Sequence, residues 1–323
     1  MRVSWVTGVS AVLWVTSCGA DTQSVDSQSD TTVDTTVDTT VDTTVDTTVD
    51  TTAATATTTP PDLEQDIDVG GRTLHITCAG PLDTGRPTVI LESGLENGSL
   101  QWSAVITGLT TTDHVCAYDR AGLSRSEPAP TPRTTMDQVV DLHALLTGAG
   151  VEPPYVMAGH SRGGWNVMVY ADQYPDEVVG AVLVEVRPPT LSERALAVLP
   201  AETTDESEAL RANRFEFTTF EHEPARNGEG LDLATSAAQA NAASGLTWQP
   251  LIVVTIADGT LFWEGLDSEL GTELERIRLE LQQQLADLSA NGRLVLVNDS
   301  GHDIPREQPQ AVIEALREVL GVA

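Results

Sequence analysis

The chain has 323 residues, with 48 Asp and Glu against 17 Lys and Arg and a formal charge of -31. All 17 basic residues are arginine. Without a basic patch to neutralise phosphates the sequence argues against nucleic-acid partners, and its acidic balance reads as a solvated surface.

The first residues carry one positive charge, Arg2, followed by an apolar run over 3–15 that is too short for a comfortable membrane span. Val15-Thr16-Ser17-Cys18 then resembles the lipobox of bacterial lipoproteins, which implies cleavage before Cys18 and lipidation of its sulfur. Residues 1–18 therefore read as an export signal, with a secretory signal peptide as the simpler alternative. Either way the protein is expected outside the cytoplasm, where disulfides persist. Residues 19–61 are low in complexity, and Thr-Thr-Val-Asp repeats five times over 31–50. One valine in four residues is too little apolar surface to offset chain ordering, and the aspartates repel one another. A disordered stalk of about 35 Å is expected there.

The folded part is expected over 62–323. Residues 66–69 and 72–78 flank Gly70-Gly71 and read as a hairpin. Residues 87–91 and 114–118 are the next two strands, with a helix containing Trp102, Val105 and Ile106 between them. Thr134 and Asp137 have the spacing of a capping box, and Met136, Val139, Val140 and Leu142 give the following helix its apolar face. A fifth strand covers 155–158, a helix runs to about 174, and a sixth strand covers 182–186. Residues 187–249 carry no clear strand and hold Phe215, Phe217 and Phe220, so a cap is expected there. Core packing and the lining of an apolar pocket are equally open uses for those rings. A strand over 251–257, a helix over 270–288, a strand over 293–298 and a helix over 309–320 complete the domain. Strands alternating with helices imply an α/β fold with a mainly parallel sheet covered on both faces.

The chemistry concentrates at Gly159-His160-Ser161-Arg162-Gly163, placed between a strand and a helix. A serine there sits on a sharp, strained turn with its hydroxyl projecting from the sheet edge. Ser93-Gly94-Leu95, Tyr118-Asp119-Arg120-Ala121-Gly122 and Ser300-Gly301-His302 each follow a strand as well. With these four motifs in this order, the chain from about residue 70 resembles the α/β-hydrolase superfamily, in its serine-nucleophile branch with a cap after the sixth strand. Ser93 stands where many relatives carry histidine, and Ser124 where a second glycine is common. Neither change removes a side chain that the chemistry requires.

The resemblance implies Ser161 as nucleophile, because an unassisted hydroxyl needs a neighbouring base, and His302 as that base. The other five histidines are His75, His114, His143, His160 and His222. His160 is adjacent to Ser161, but side chains of consecutive residues on a tight turn point apart. The acid that orients the base has two candidates. Asp258 ends the seventh strand, where most relatives carry it, although it comes about one residue early; Glu185 ends the sixth, a site that some branches use. The loop spacing after residue 256 slightly favours Glu185. The backbone N–H groups of Leu95 and Arg162 are implied as the oxyanion donors. Cys78 and Cys116 lie on strands that are neighbours in this fold, which implies a disulfide. No spacing of His, Cys and carboxylates suggests a metal, and no phosphate-binding glycine loop is present, so no cofactor is expected. The resulting expectation is a lipid-anchored carboxylic ester hydrolase for small-molecule substrates. Amide, peptide or perhydrolase chemistry on the same residues, or a non-catalytic surface-binding protein, stand as alternatives.

Overall fold

The computed structural model describes residues 63–322, Asp83 and Trp248 excepted. The expected export signal, Cys18 and the repeat segment lie outside the described residues.

One eight-stranded sheet organises these residues, in the order β1-β2-β4-β3-β5-β6-β7-β8. The strands are β1 (Leu63–Asp68), β2 (Thr73–Ala79), β3 (Thr88–Glu92), β4 (Val115–Tyr118), β5 (Tyr155–His160), β6 (Val178–Val184), β7 (Leu251–Ile256) and β8 (Gly292–Val297). β2 runs antiparallel to both β1 and β4, and every other pairing is parallel. The mainly parallel sheet expected from the sequence is therefore present, and its central strands β3, β5, β6 and β7 are buried along almost their whole length because both faces are covered. Ile90, Cys116, Met157, Leu183 and Val253 face one side, and Val89, Val115, Val156, Val182 and Ile252 the other.

The second face is covered by α1 (Ser103–Leu109) and by the last helix, which supplies Val312, Leu316 and Val319. On the first face lie α2 (Thr135–Ala149) and α3 (Gly163–Gln173). The capping box of α2 forms as its spacing predicts: Asp137 N donates to Thr134 Oγ1 at 3.4 Å, and Thr134 N to Asp137 Oδ2 at 2.7 Å. Gly150, at φ 69°, ends that helix in the left-handed conformation.

Between β6 and β7 the chain forms α4 (Leu191–Leu196), α5 (Glu208–Thr218), two short 3₁₀ turns and α6 (Leu233–Ala242). Phe217 packs with Ala195, Trp263 and Leu274, and Phe220 joins the main core, so these two rings serve packing. Phe215 is exposed, with the Arg226 guanidinium over its face. α7 (Ser268–Ala286) starts two residues earlier than expected because Asp267 caps it. α8 (Ile304–Glu307) and α9 (Pro309–Val322) close the domain. None of the described helices is long and apolar enough to cross a membrane.

The largest departure from the expected boundaries is β6, which begins at Val178 rather than Val182 and ends at Val184. Gly180 hides its first half, because glycine weakens a strand pattern. A β-carbon at that position would run into Val319 of α9, so the glycine is there for close packing.

Cys78 and Cys116 face each other across the β2–β4 pairing and are joined by a disulfide. The bond spans a sequence separation of 38 residues. Replacing both cysteines by alanine is expected to lower stability by about 2–4 kcal/mol. Urea unfolding measures the effect, and an unchanged midpoint contradicts it.

Candidate active site

Ser161 occupies the turn between β5 and α3 at φ 52°, a left-handed conformation that costs a non-glycine residue about 1–3 kcal/mol. Surrounding contacts hold it there. Ser161 N donates to Val184 O at 3.0 Å, and its own carbonyl accepts from Gly164 N at 3.2 Å. The two motif glycines are required by close approach. A β-carbon on Gly159 would lie 2.7 Å from Gly163 O, and one on Gly163 would lie 2.5 Å from Glu92 O. The Ser161 turn and the loop after β3 therefore pack backbone against backbone.

His302, on the loop between β8 and α8, reaches the same edge. Its Nε2 lies 2.9 Å from Ser161 Oγ, a hydrogen-bonding distance. Ser161 is 6% exposed and His302 is half-buried. Burial, with His160, Arg187 and Arg278 nearby, holds the His302 imidazole well below its ordinary range and therefore neutral.

His160 points away from Ser161, as its position on the turn predicts, and has a different task. Its Nε2–H donates to the backbone carbonyl of His302 at 2.8 Å, while its Nδ1 accepts from Gln101 Nε2 at 3.0 Å. Gln101 Nε2 also donates to Asp303 Oδ1 at 3.0 Å, and its Oε1 accepts from Gly94 N at 2.9 Å. One buried amide thus ties the loop after β3 to the loop that carries His302. Burial lowers the His160 pKa, against the opposing bond to the His302 carbonyl, which favours the neutral ring this network needs.

The loop after β3 is fastened from its other side by Arg120. NH1 donates to Ser93 O and to Glu92 Oε1, both at 2.6 Å, and NH2 to Gly94 O at 2.6 Å. Nε bonds Glu229 Oε2 at 2.7 Å and NH2 bonds Glu229 Oε1 at 2.8 Å. Glu92 also accepts from Tyr118 Oη at 2.5 Å and Asn166 Nδ2 at 3.2 Å. Glu229, from the segment between β6 and β7, accepts from Glu96 N at 2.7 Å and Gln138 Nε2 at 2.8 Å. Burial raises the Glu92 carboxyl, whereas at Glu229 the Arg120 charge and its hydrogen bonds overcome burial and lower it. With the loop held this way, the N–H groups of Leu95 and Arg162 bond no protein acceptor among the described residues.

The two candidate acids are placed very differently. Asp258 is exposed, and its Oδ1 accepts from Thr260 N at 3.0 Å, which lowers its pKa. Glu185 follows β6 at φ 41° and is fully buried. Its Oε2 accepts from Thr255 Oγ1 at 2.6 Å and Ile256 N at 2.8 Å, and its Oε1 from Arg278 NH1 at 3.1 Å. Burial raises its pKa against those partners. Neither carboxylate hydrogen-bonds His302. Arg278 is shared with Glu275, whose Oε1 it meets at 2.8 Å.

Sequence reading missed Gln101, His160 and Glu229 because their partners are remote in the chain. Glu229 is 109 residues from Arg120 and offers no local pattern. Spacing also gave no metal cluster, yet Cys78, His114 and Cys116 have donor atoms within 4.8 Å of one another. Cross-strand pairing brings them together, and the two sulfurs are bonded to each other, so they are not the thiolates that a metal takes.

A model of the alpha/beta hydrolase family matches residues 92–315. Among curated proteins, a probable transporter, efuK, of Hormonema carpetanum is 34% identical over 124 residues, 37% of this chain and 18% of that protein. A putative carbamate hydrolase, RutD, of Azorhizobium caulinodans is 33% identical over 96 residues, 30% of this chain and 36% of that protein. The chain thus spans less than two fifths of the length of either relative. Among solved structures, a thermophilic esterase from Thermogutta terrifontis superposes with a TM-score of 0.54 at 20% identity, over 81% of this chain and 98% of that one. That likeness establishes the fold.

Replacing Arg120 by methionine would leave Glu92 and Glu229 buried without their main counter-charge. The expected cost is about 3–5 kcal/mol, measured by chemical denaturation. A loss below about 1 kcal/mol, the range of an exposed pair, would contradict the described role.

Proposed function

The chain belongs to the alpha/beta hydrolase family, and from that premise we propose that it is a serine hydrolase that cleaves carboxylic esters through an acyl-enzyme. The contact of 2.9 Å between His302 Nε2 and Ser161 Oγ carries this reading. His302 takes the hydroxyl proton as Oγ bonds to the ester carbonyl carbon, and the carbonyl electron pair moves onto oxygen. Leu95 N–H and Arg162 N–H receive that oxyanion. When the pair returns, the C–O bond to the alcohol breaks and the alcohol leaves with the proton from His302. Water then adds by the same route and releases the acid and Ser161.

Glu185 is assigned as the carboxylate that stabilises the imidazolium. It is fixed and buried, and its bond to Arg278, at 3.1 Å, is the longest of its three. Release of Oε1 from Arg278 frees one oxygen for the base. Asp258 is exposed and engaged in a local turn. Residues 1–18 and the repeat segment complete the proposal of an exported protein held to the outer side of a membrane by lipid on Cys18, with no cofactor.

Glu185→Gln is expected to lower kcat on a neutral ester by roughly a hundredfold or more, while Asp258→Asn stays within about threefold. Equal rates for both variants and the parent protein, or the reverse order, would refute the assignment. A Ser161→Ala variant should lose turnover entirely.

The pH profile gives a separate test. His302 must be neutral to accept the proton, and its pKa lies well below 6.5. Activity is therefore lost only when pH falls through that lowered value. kcat/KM on a neutral ester should stay level as pH drops through 6.5 and decline below it. An acid limb centred at or above 6.5 is incompatible with the surroundings described for His302.

A further inference from the structure

Five arginines are buried among the described residues: Arg120, Arg133, Arg162, Arg187 and Arg278. Four of them hold carboxylates at short range, namely Glu92 and Glu229, Asp141, Glu221, and Glu185 with Glu275. Arg162 differs. It is 5% exposed, yet its Nε and NH1 have no hydrogen-bond partner and no carboxylate pairs with it. Its guanidinium lies over the face of Trp165, with Cζ 4.3 Å from the ring centroid. Stacking occupies the face of the guanidinium and leaves its in-plane N–H groups available.

The neighbouring acids are already taken. Glu92 serves Arg120, Tyr118 and Asn166, Glu229 serves Arg120, Gln138 and Glu96 N, and Glu221 serves Arg187 and Ser192. A guanidinium buried without hydrogen bonds is costly, and such a cost persists in a native structure only where something offsets it. Burial pushes the Arg162 pKa down to about 9, the direction that an incoming anion would reverse. Location says what kind of anion. Arg162 follows Ser161 directly and its own N–H is a proposed oxyanion donor, so the anion nearest to hand for this unpaired cation is one carried by the substrate.

We propose that Arg162 is the specificity-determining residue of this site, pairing with a carboxylate carried by the ester substrate. The substrate class is then the half-ester of a dicarboxylic acid, or an ester whose alcohol carries the carboxylate. This rests on the serine-hydrolase reading and narrows it. The in-plane fork of the guanidinium matches a carboxylate with two parallel N–H···O bonds, a geometry that a neutral ester cannot satisfy. The protein surface does not supply such a preference. A chain with a formal charge of -31 repels an anionic substrate at long range, so selectivity for it must arise at the buried cation.

The test compares kcat/KM for monoethyl adipate with that for the same ester bearing a terminal carboxamide, followed by pH-stat. A second pair carries the carboxylate or carboxamide on the alcohol side. The parent protein should prefer the carboxylate in one pair by roughly tenfold to a hundredfold, the scale of a desolvated charge pair. Arg162→Met should collapse that ratio toward one through KM, whatever happens to the absolute rate, and Arg162→Lys should restore part of it. A ratio at or below one in both pairs for the parent protein overturns the proposal, as does a preference that survives in Arg162→Met.

Labelling of Ser161 by a fluorophosphonate separates this outcome from failure of the hydrolase reading. If Ser161 labels and the ratio is one, the hydrolase stands and the anion site falls. If Ser161 does not label, calorimetry with adipate on the parent protein and on Arg162→Met decides the anion site alone. Binding lost in the variant supports it, and equal or no binding by both overturns it.

Discussion

The site depends on the missing side chain of Gly163. At that position the carbonyls of Glu92 and Ser93 approach so closely that a β-carbon would occupy the same space. Through this approach the loop after β3 lies against the first turn of α3. Leu95 on one segment and Arg162 on the other carry the two N–H groups proposed to receive the oxyanion, and neither bonds an acceptor among the described residues. The strain at Ser161, with φ 52°, is held by the same packing and by its bond to Val184. Rigid backbone contacts are well suited to this task, since donors fixed in advance need no reorganisation as charge develops.

Around that contact the molecule buries several of its arginines. Arg120 fixes the loop after β3 to Glu92 and to Glu229, Arg187 fastens Glu221, and Arg278 sits between Glu185 and Glu275. Apart from Arg278 with Glu275, three residues apart on α7, these pairs join segments far apart in sequence, so breaking one leaves an uncompensated buried charge rather than a frayed loop. The polar network of Gln101, His160 and Asp303 ties down the loop that carries His302, and burial disfavours the charged imidazole there. His302 is consequently held neutral, the state that its proposed role as proton acceptor requires.

Local chemistry could be read directly from the chain. Thr134 and Asp137 announced their capping box, the four strand-end motifs announced the sheet edge where Ser161 and His302 meet, and the two strand cysteines pair as the fold implied. What stayed hidden was relational. Gly180 looks like a break in a strand until Val319 of α9 is seen pressing on it. Glu229 looks like one acid among many in an acidic segment until Arg120 reaches it. Glu185 and Asp258 have similar positions at strand ends, and only burial separates them.

The central claim is that Ser161, His302 and the two N–H donors form one catalytic constellation. A crystal structure of the protein after reaction with a phosphonate ester tests it most directly. The account predicts a covalent bond from phosphorus to Ser161 Oγ, with the phosphoryl oxygen about 2.7–3.1 Å from both Leu95 N and Arg162 N and His302 Nε2 beside the remaining oxygens. An adduct on another residue, or a phosphoryl oxygen turned away from those two donors, would contradict it.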